Sequence, residues 1–173
     1  MSEPRVAILM GSDSDLGVMS EAVKVLDKME VGCEVHVTSA HRTPDRTVEI
    51  VRGAPGRGIR VFIIGAGAAA HLAGVVAAHS NLPVLGVPLA SSDLQGLDAL
   101  LATVQMPGGV PVGTLAIGKA GATNAALLAC QILALGDEAL AARLTTHKRE
   151  MAESVERKSA KAQDTLASLR DSE

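Results

Sequence analysis

The sequence contains no tryptophan, no tyrosine and a single phenylalanine, Phe62. Its core must therefore be assembled from Val, Ile, Leu, Met and Ala, which a hydrophobic content of 47% supplies. The same absence disfavours binding of single-stranded nucleic acid, which relies on aromatic side chains as stacking platforms. An excess of positive charge is also missing. The net charge is −3, whereas duplex binders present a basic surface, so no nucleic-acid partner is expected. No uninterrupted apolar run reaches the ~20 residues that a membrane span needs. Met1-Ser-Glu-Pro leads straight into a strand-like run, without a basic segment followed by an apolar one. A soluble, cytoplasmic protein without a membrane partner is the expectation. Only two cysteines occur, Cys33 and Cys130, far apart and in no C-x-x-C pair. They read as two buried thiols in a reducing compartment rather than as a disulfide. The five histidines (His36, His41, His71, His79 and His147) are scattered and fall into no recognised metal-ligand motif, so no metal is expected. No G-x-S-x-G elbow marks a serine nucleophile.

What is present is an alternation of short apolar runs and helical patterns, the mark of repeated βα units around a parallel sheet. Strands are predicted at Val6–Met10, Glu34–Val37, Val61–Ile64, Val84–Val87 and Thr114–Ile117. Between the first two, Leu16, Met19, Val23, Leu26 and Met29 recur at helical spacing and would line one buried face. Further helices are predicted from Pro44, a favoured first-turn residue, and over Ala68–Ala78, Leu94–Val104 and Ala122–Leu135. Right-handed crossovers place such helices on both faces of the sheet. The fold class is α/β, a three-layer α/β/α arrangement of flavodoxin-like or Rossmann-like type, followed by a long C-terminal helix. A chain of 173 residues suits one domain burying roughly 70% of its unfolded surface. Residues 137–173 form a helical extension of that single domain. Leu144, Met151, Val155, Ala162, Leu166 and Leu169 make a narrow apolar stripe there, interrupted by Lys148 and Lys158. Such a stripe needs a covering surface. Either it lies on a neighbouring subunit or its last dozen residues fray into solvent.

In an open parallel sheet, ligands bind beyond the carboxyl ends of the strands, so each loop there is a candidate. The first is Gly11-Ser12-Asp13-Ser14-Asp15. Ser and Asp are preferred helix caps, but two aspartates exceed what one cap requires, and a carboxylate suits paired ribose hydroxyls. The second is Ser39-Ala40-His41-Arg42-Thr43-Pro44. It joins an imidazole able to exchange protons near neutral pH to a guanidinium able to hold phosphate through two parallel bonds. The third, Gly65-Ala66-Gly67-Ala68-Ala69-Ala70-His71, matches the dinucleotide fingerprint in form. The next strand ends Val87-Pro88, however, without the acid that would grip a cofactor ribose. His71 reads as a structural or supporting residue. Gly113 to Ala120 imitates a phosphate loop, but its intervening residues read as a strand and Ala120 replaces the magnesium-binding hydroxyl.

Taken together, GSDSD at 11–15, SAHRTP at 39–44, GAGAAAHLAG at 65–74, LPVLGVP at 82–88 and QMPGGVPVGTLAIGKAGATNAALLA at 105–129 resemble the aminoimidazole ribonucleotide carboxylase catalytic-subunit family of purine biosynthesis. The resemblance covers roughly Arg5 to Leu135 and is strongest to the bacterial branch that rearranges 5-(carboxyamino)imidazole ribonucleotide. It implies a three-layer α/β/α fold, a homo-octamer with active sites at subunit contacts, a ribonucleotide substrate, and neither metal nor organic cofactor. By motif it implies that Ser12, Asp15 and Arg42 bind the ribonucleotide, that Ser39 assists at the phosphate, and that His41 shuttles the proton. It also implies that Gly67 and Ala68, within the segment 65–70, wall the pocket that retains carbon dioxide. The alternatives are direct carboxylation of the unsubstituted ribonucleotide, a lyase-type activity, and a catalytically silent nucleotide-binding module. The family usually has Gly where Ala68 stands and Pro where Ala73 stands. Ala99 and Ala102 likewise replace serines common in the family.

Overall fold

The computed structural model describes residues 3–170. The chain divides into one compact unit running to Leu133 and a second from Ala134 onward. In the first unit five strands form a parallel sheet: β1 (Pro4–Met10), β2 (Gly32–Val37), β3 (Val61–Gly67), β4 (Val84–Leu89) and β5 (Gly113–Thr114), in the order β2-β1-β3-β4-β5. This is the flavodoxin-like order. The connections supply α1 (Leu16–Lys28), α2 (Pro44–Gly53), α3 (Leu72–His79) and α4 (Leu97–Val104), and α5 (Lys119–Ala134) follows β5.

Central strands of such a sheet are covered on both faces and become apolar throughout. Val6–Met10, Val61–Ala66 and Val84–Leu89 are all buried, whereas the edge strand β2 is only half-buried. Alternate residues divide the two faces. Ala7, Leu9, Phe62 and Ile64 share a core cluster with Val51 of α2, Leu72, Ala73 and Val76 of α3, and Ala99 of α4. On the other face Gly65 lies against Met19 of α1, and Gly121 of α5 lies against Val87. The lone aromatic, Phe62, is fully buried.

The departures from expectation have local causes. Along α1 the buried residues are Met19, Ala22 and Leu26, with Met29 just beyond, while Leu16 is exposed and Val23 half-buried. The apolar face is thus narrower than its sequence stripe. The third helix begins at Leu72 and not at Ala68, because β3 continues through Gly65-Ala66-Gly67, in register with Val87-Pro88-Leu89. The G-x-G pair is therefore strand, not the tight turn of a dinucleotide site. Likewise α4 begins at Leu97, after a loop in which Gln95 and Gly96 both take positive φ. β5 stops at Thr114. Leu115 N–H still donates to the Gly86 carbonyl (2.8 Å) and Gly118 N–H to that of Pro88 (2.9 Å), so the chain follows β4 before Gly118 turns it into α5 at φ +75°. Cys130 is buried in α5, but Cys33, on the edge strand, is half-buried.

The second unit is one helix, α6 (Glu138–Arg170). Asp137 Oδ1 accepts from the Leu140 N–H at 3.0 Å, a helix N-cap. Met151, Val155, Leu166 and Leu169 of the apolar stripe are exposed. Among the described residues no helix is long and apolar enough to cross a membrane.

Candidate active site

In the order β2-β1-β3-β4-β5 the chain reverses direction between β1 and β3, and a crevice opens there beyond the strand ends. A cavity of about 410 Å³ occupies that place. The loop after β1 contributes Gly11, Ser12, Ser14 and Asp15, and the loop after β2 contributes Ser39, Ala40, His41 and Arg42. The end of β3 and the start of α3 add Ala66, Gly67, Ala69 and Leu72, and Ser91 comes from the loop after β4. Six of the seven residues singled out from the sequence thus meet at one cavity.

The first loop is fixed by its own polar side chains. Ser12 Oγ accepts from the Ser14 N–H (3.3 Å), and Asp15 Oδ2 accepts from the Ser12 N–H (3.1 Å). The capping role and a place in the cavity therefore coexist. Burial pushes the Asp15 carboxyl above its ordinary pKa, with the Ser12 and Gly11 amides opposing and the Asp13 charge adding to the rise. The second loop is closed by Arg42, whose backbone N–H donates to Ser39 Oγ (3.2 Å) and whose Nη2 donates to the Gly11 carbonyl (2.9 Å). Its Nε also donates to Ser39 Oγ (3.5 Å), so Arg42 ties the first two loops together.

His41 Nε2 lies 2.8 Å from His71 Nδ1, the two rings meeting edge to face at a centroid distance of 4.9 Å. One nitrogen must donate and the other accept, so the pair shares a proton between two loops. His71 is the N-cap residue of α3. Its position at the same sheet edge as His41 was visible in the sequence, but the contact was not.

Gly67 and Ala68 behave differently from each other. A Cβ at residue 67 would collide with the Ser91 side chain, so only glycine lets the end of β3 approach the β4 loop. Ala68 does not line the cavity. It turns the chain between β3 and α3 at φ +50°, in the left-handed region that favours glycine. Ala73 is buried as the second residue of α3, a helix that starts without proline. Among the described residues no group of three or more His, Cys, Asp or Glu is placed to hold a metal ion.

The AIR carboxylase family model matches residues 5–154. The N5-carboxyaminoimidazole ribonucleotide mutase of Brucella melitensis is 55% identical over 150 residues, 87% of this chain and 93% of that protein. The mutase of the same name from Bacillus subtilis is 53% identical over 153 residues (88% and 94%). That from Escherichia coli K12 is 52% identical over 151 residues (87% and 89%). Among solved structures, Treponema denticola PurE superposes with a TM-score of 0.81 at 27% identity, covering 91% of this chain and 98% of that one.

Proposed function

The chain belongs to the AIR carboxylase family, and on that premise we propose that it converts 5-(carboxyamino)imidazole ribonucleotide to 4-carboxy-5-aminoimidazole ribonucleotide in purine biosynthesis. The observation that carries the reading is the meeting of Ser12, Asp15, Ser39, His41 and Arg42 around one cavity at the reversal point of the sheet. Identity above 50% to mutases supports rearrangement over direct carboxylation.

The chemistry fits these groups. The substrate's N-carboxylate is a carbamate, which loses carbon dioxide once its nitrogen is protonated. The aminoimidazole left behind is an electron-rich enamine, and its C4 attacks the same carbon dioxide. C4 then gives up its proton. His41 delivers the first proton and collects the second, so it ends the cycle as it began, and neither protons nor electrons are exchanged overall. The hydrogen bond to His71 holds the His41 ring in one orientation. Ser12, Asp15 and Arg42 bind the ribonucleotide, Arg42 at the phosphate with Ser39 assisting and Asp15 accepting from the ribose hydroxyls. Gly67, held close to Ser91, closes the wall that retains carbon dioxide. Ala68 contributes through the turn that it imposes.

We further place the enzyme in the cytoplasm as a homo-octamer with its sites near subunit contacts. Supporting the assembly are Leu94, Leu97, Leu101 and Val104, which form an exposed apolar row on and beside α4. Contiguous apolar surface of this kind marks an interaction face.

The test of the catalytic assignment is turnover of the carbamate by purified wild-type protein and by His41→Asn. The variant keeps its fold and its affinity for substrate, and its kcat falls by roughly 10²–10⁴, the usual worth of a general acid–base group. Wild-type turnover in the variant removes His41 from the chemistry.

A further inference from the structure

Three polar residues are buried among the described residues, and two of them, Thr38 and Thr47, lie directly beneath the His41 loop, 3% and 0% exposed. The third, Thr103, donates from its hydroxyl to the Ala99 carbonyl one turn back in α4 (2.7 Å). That is ordinary helix back-bonding. Thr47 can do the same toward the Thr43 carbonyl (3.1 Å), but its Oγ1 also lies 2.8 Å from Thr38 Oγ1, just beyond the end of β2. Thr38 Oγ1 in turn lies 3.3 Å from Thr43 Oγ1. The Ser39 N–H donates to Thr43 Oγ1 at 2.9 Å.

A hydroxyl carries one proton and accepts through its lone pairs. Thr47 Oγ1 has both the Thr43 carbonyl and Thr38 Oγ1 within reach, and either hydroxyl can donate across the 2.8 Å Thr38–Thr47 contact. Thr43 gives its proton to Thr38 or to the Ser39 carbonyl at 3.2 Å. The hydroxyls form a chain that leaves the strand at Thr38, enters the first turns of α2 at Thr47, and returns to the loop at Thr43. Thr43 stands at the N-cap of α2, yet its side chain caps nothing in that helix. It is turned back to the Ser39 amide instead. Valine would fill the buried space at residue 47, so packing alone does not call for a hydroxyl.

We propose that Thr47, acting through Thr38 and Thr43, is a positioning residue that sets the Ser39–Arg42 loop, and with it His41, against the substrate. This rests on the mutase reading given above. Thr38 is anchored to the sheet by its N–H on the Met10 carbonyl (2.9 Å), and the Thr43 N–H closes the loop on the Ser39 carbonyl (2.9 Å). The four residues between these anchors carry the imidazole and the guanidinium. A loop displaced by an ångström costs an enzyme on the order of a hundredfold in rate, and a network with one member missing leaves its neighbours free to rearrange.

The experiment compares Thr47→Val, Thr47→Ser and Thr103→Val by thermal melt and by kcat and KM for the carbamate. The proposal expects Thr47→Val to lose tenfold or more in kcat and to gain severalfold in KM. Thr47→Ser, which keeps the hydroxyl, stays within about twofold of wild type in both. Thr103→Val lowers the melting temperature comparably while kcat and KM hold. Adding Thr47→Val to His41→Asn lowers kcat no further. Wild-type kinetics in folded Thr47→Val overturn the proposal, as does an equal kcat loss in Thr103→Val or a multiplicative loss in the double variant. If Thr47→Val does not fold, Thr38→Val cuts the same link and is judged by the same criteria. An inactive wild-type protein would instead refute the functional reading itself.

Discussion

At residue 68 the chain turns through φ +50° with an alanine side chain in place. A left-handed alanine costs roughly 1–2 kcal/mol, while glycine's extra freedom in the unfolded chain returns roughly 0.5–1 kcal/mol of that. Ala68→Gly is therefore expected to stabilise the protein by up to about 1 kcal/mol in denaturant titration, with unchanged or faster turnover. A destabilised variant would mean that residue 68 does not hold the left-handed turn. The sequence identified this residue as a departure from the family pattern, but it set the alanine inside a helix. The error has a physical source. Ala68-Ala69-Ala70 has the highest intrinsic helix propensity available, and it is overridden because β3 pairs with β4 through Gly67↔Leu89 before the chain can turn. That Ser12, Asp15, Ser39, His41, Arg42 and Gly67 would gather at one edge of the sheet was legible, because each lies at a strand's carboxyl end. Ser91, and the link between His41 and His71, were not. Their roles depend on which loops become neighbours, and that follows from strand order rather than from any local pattern.

At the scale of elements, the edge strand β2 is held by more than its backbone pairing. Arg57, in the short 3₁₀ turn Pro55–Arg57, donates from Nε to Glu34 Oε2 (3.0 Å) and from Nη2 to Glu34 Oε1 (2.7 Å). Its Nη2 also reaches the Ile50 carbonyl of α2 (3.0 Å). The Arg57 bonds hold the Glu34 carboxyl below its ordinary value of 4.5, against the opposing effect of burial. A carboxyl whose pKa is depressed on folding binds fewer protons in the native state. Its contribution is present above the unfolded pKa and disappears as pH falls through the folded one. Asp15 has the opposite sign: its raised pKa favours the folded state at low pH, and that benefit is lost as pH rises. Comparing wild type with Glu34→Gln isolates the first effect. The variant is expected to be less stable by about 1 kcal/mol at neutral pH, because Arg57 is partly exposed and solvent screens the pair. The gap should narrow as pH falls below 4.5 and close below the depressed folded value. A gap that persists unchanged in acid would assign the effect to packing rather than charge. The elements themselves were mostly visible in the periodicity. Helix starts and the length of β5 were less so, because loop turns at positive φ and one-sided pairing along β4 leave little trace in a hydrophobic pattern.

At the scale of the molecule, the parallel sheet and its flanking helices followed from alternating apolar runs, whereas assembly cannot be read from one chain's periodicity. Two apolar surfaces motivate it: the row Leu94, Leu97, Leu101 and Val104, and the stripe along α6 at Met151, Val155, Leu166 and Leu169. Light scattering at micromolar concentration is expected to give the mass of eight subunits. A monomer mass would refute the assembly and leave the exposed leucines without a role.

The central claim is that carbon dioxide released from the carbamate is recaptured before it escapes. Confinement gives it an effective concentration far above that in solution, so the enzyme needs no strong site for the free gas. The most direct measurement is a pair of initial rates at low bicarbonate, one with 5-(carboxyamino)imidazole ribonucleotide and one with the unsubstituted aminoimidazole ribonucleotide. Efficient conversion of the carbamate is expected, with poor carboxylation of the unsubstituted compound until bicarbonate is very high. Faster turnover of the unsubstituted ribonucleotide would contradict this and make this protein a direct carboxylase.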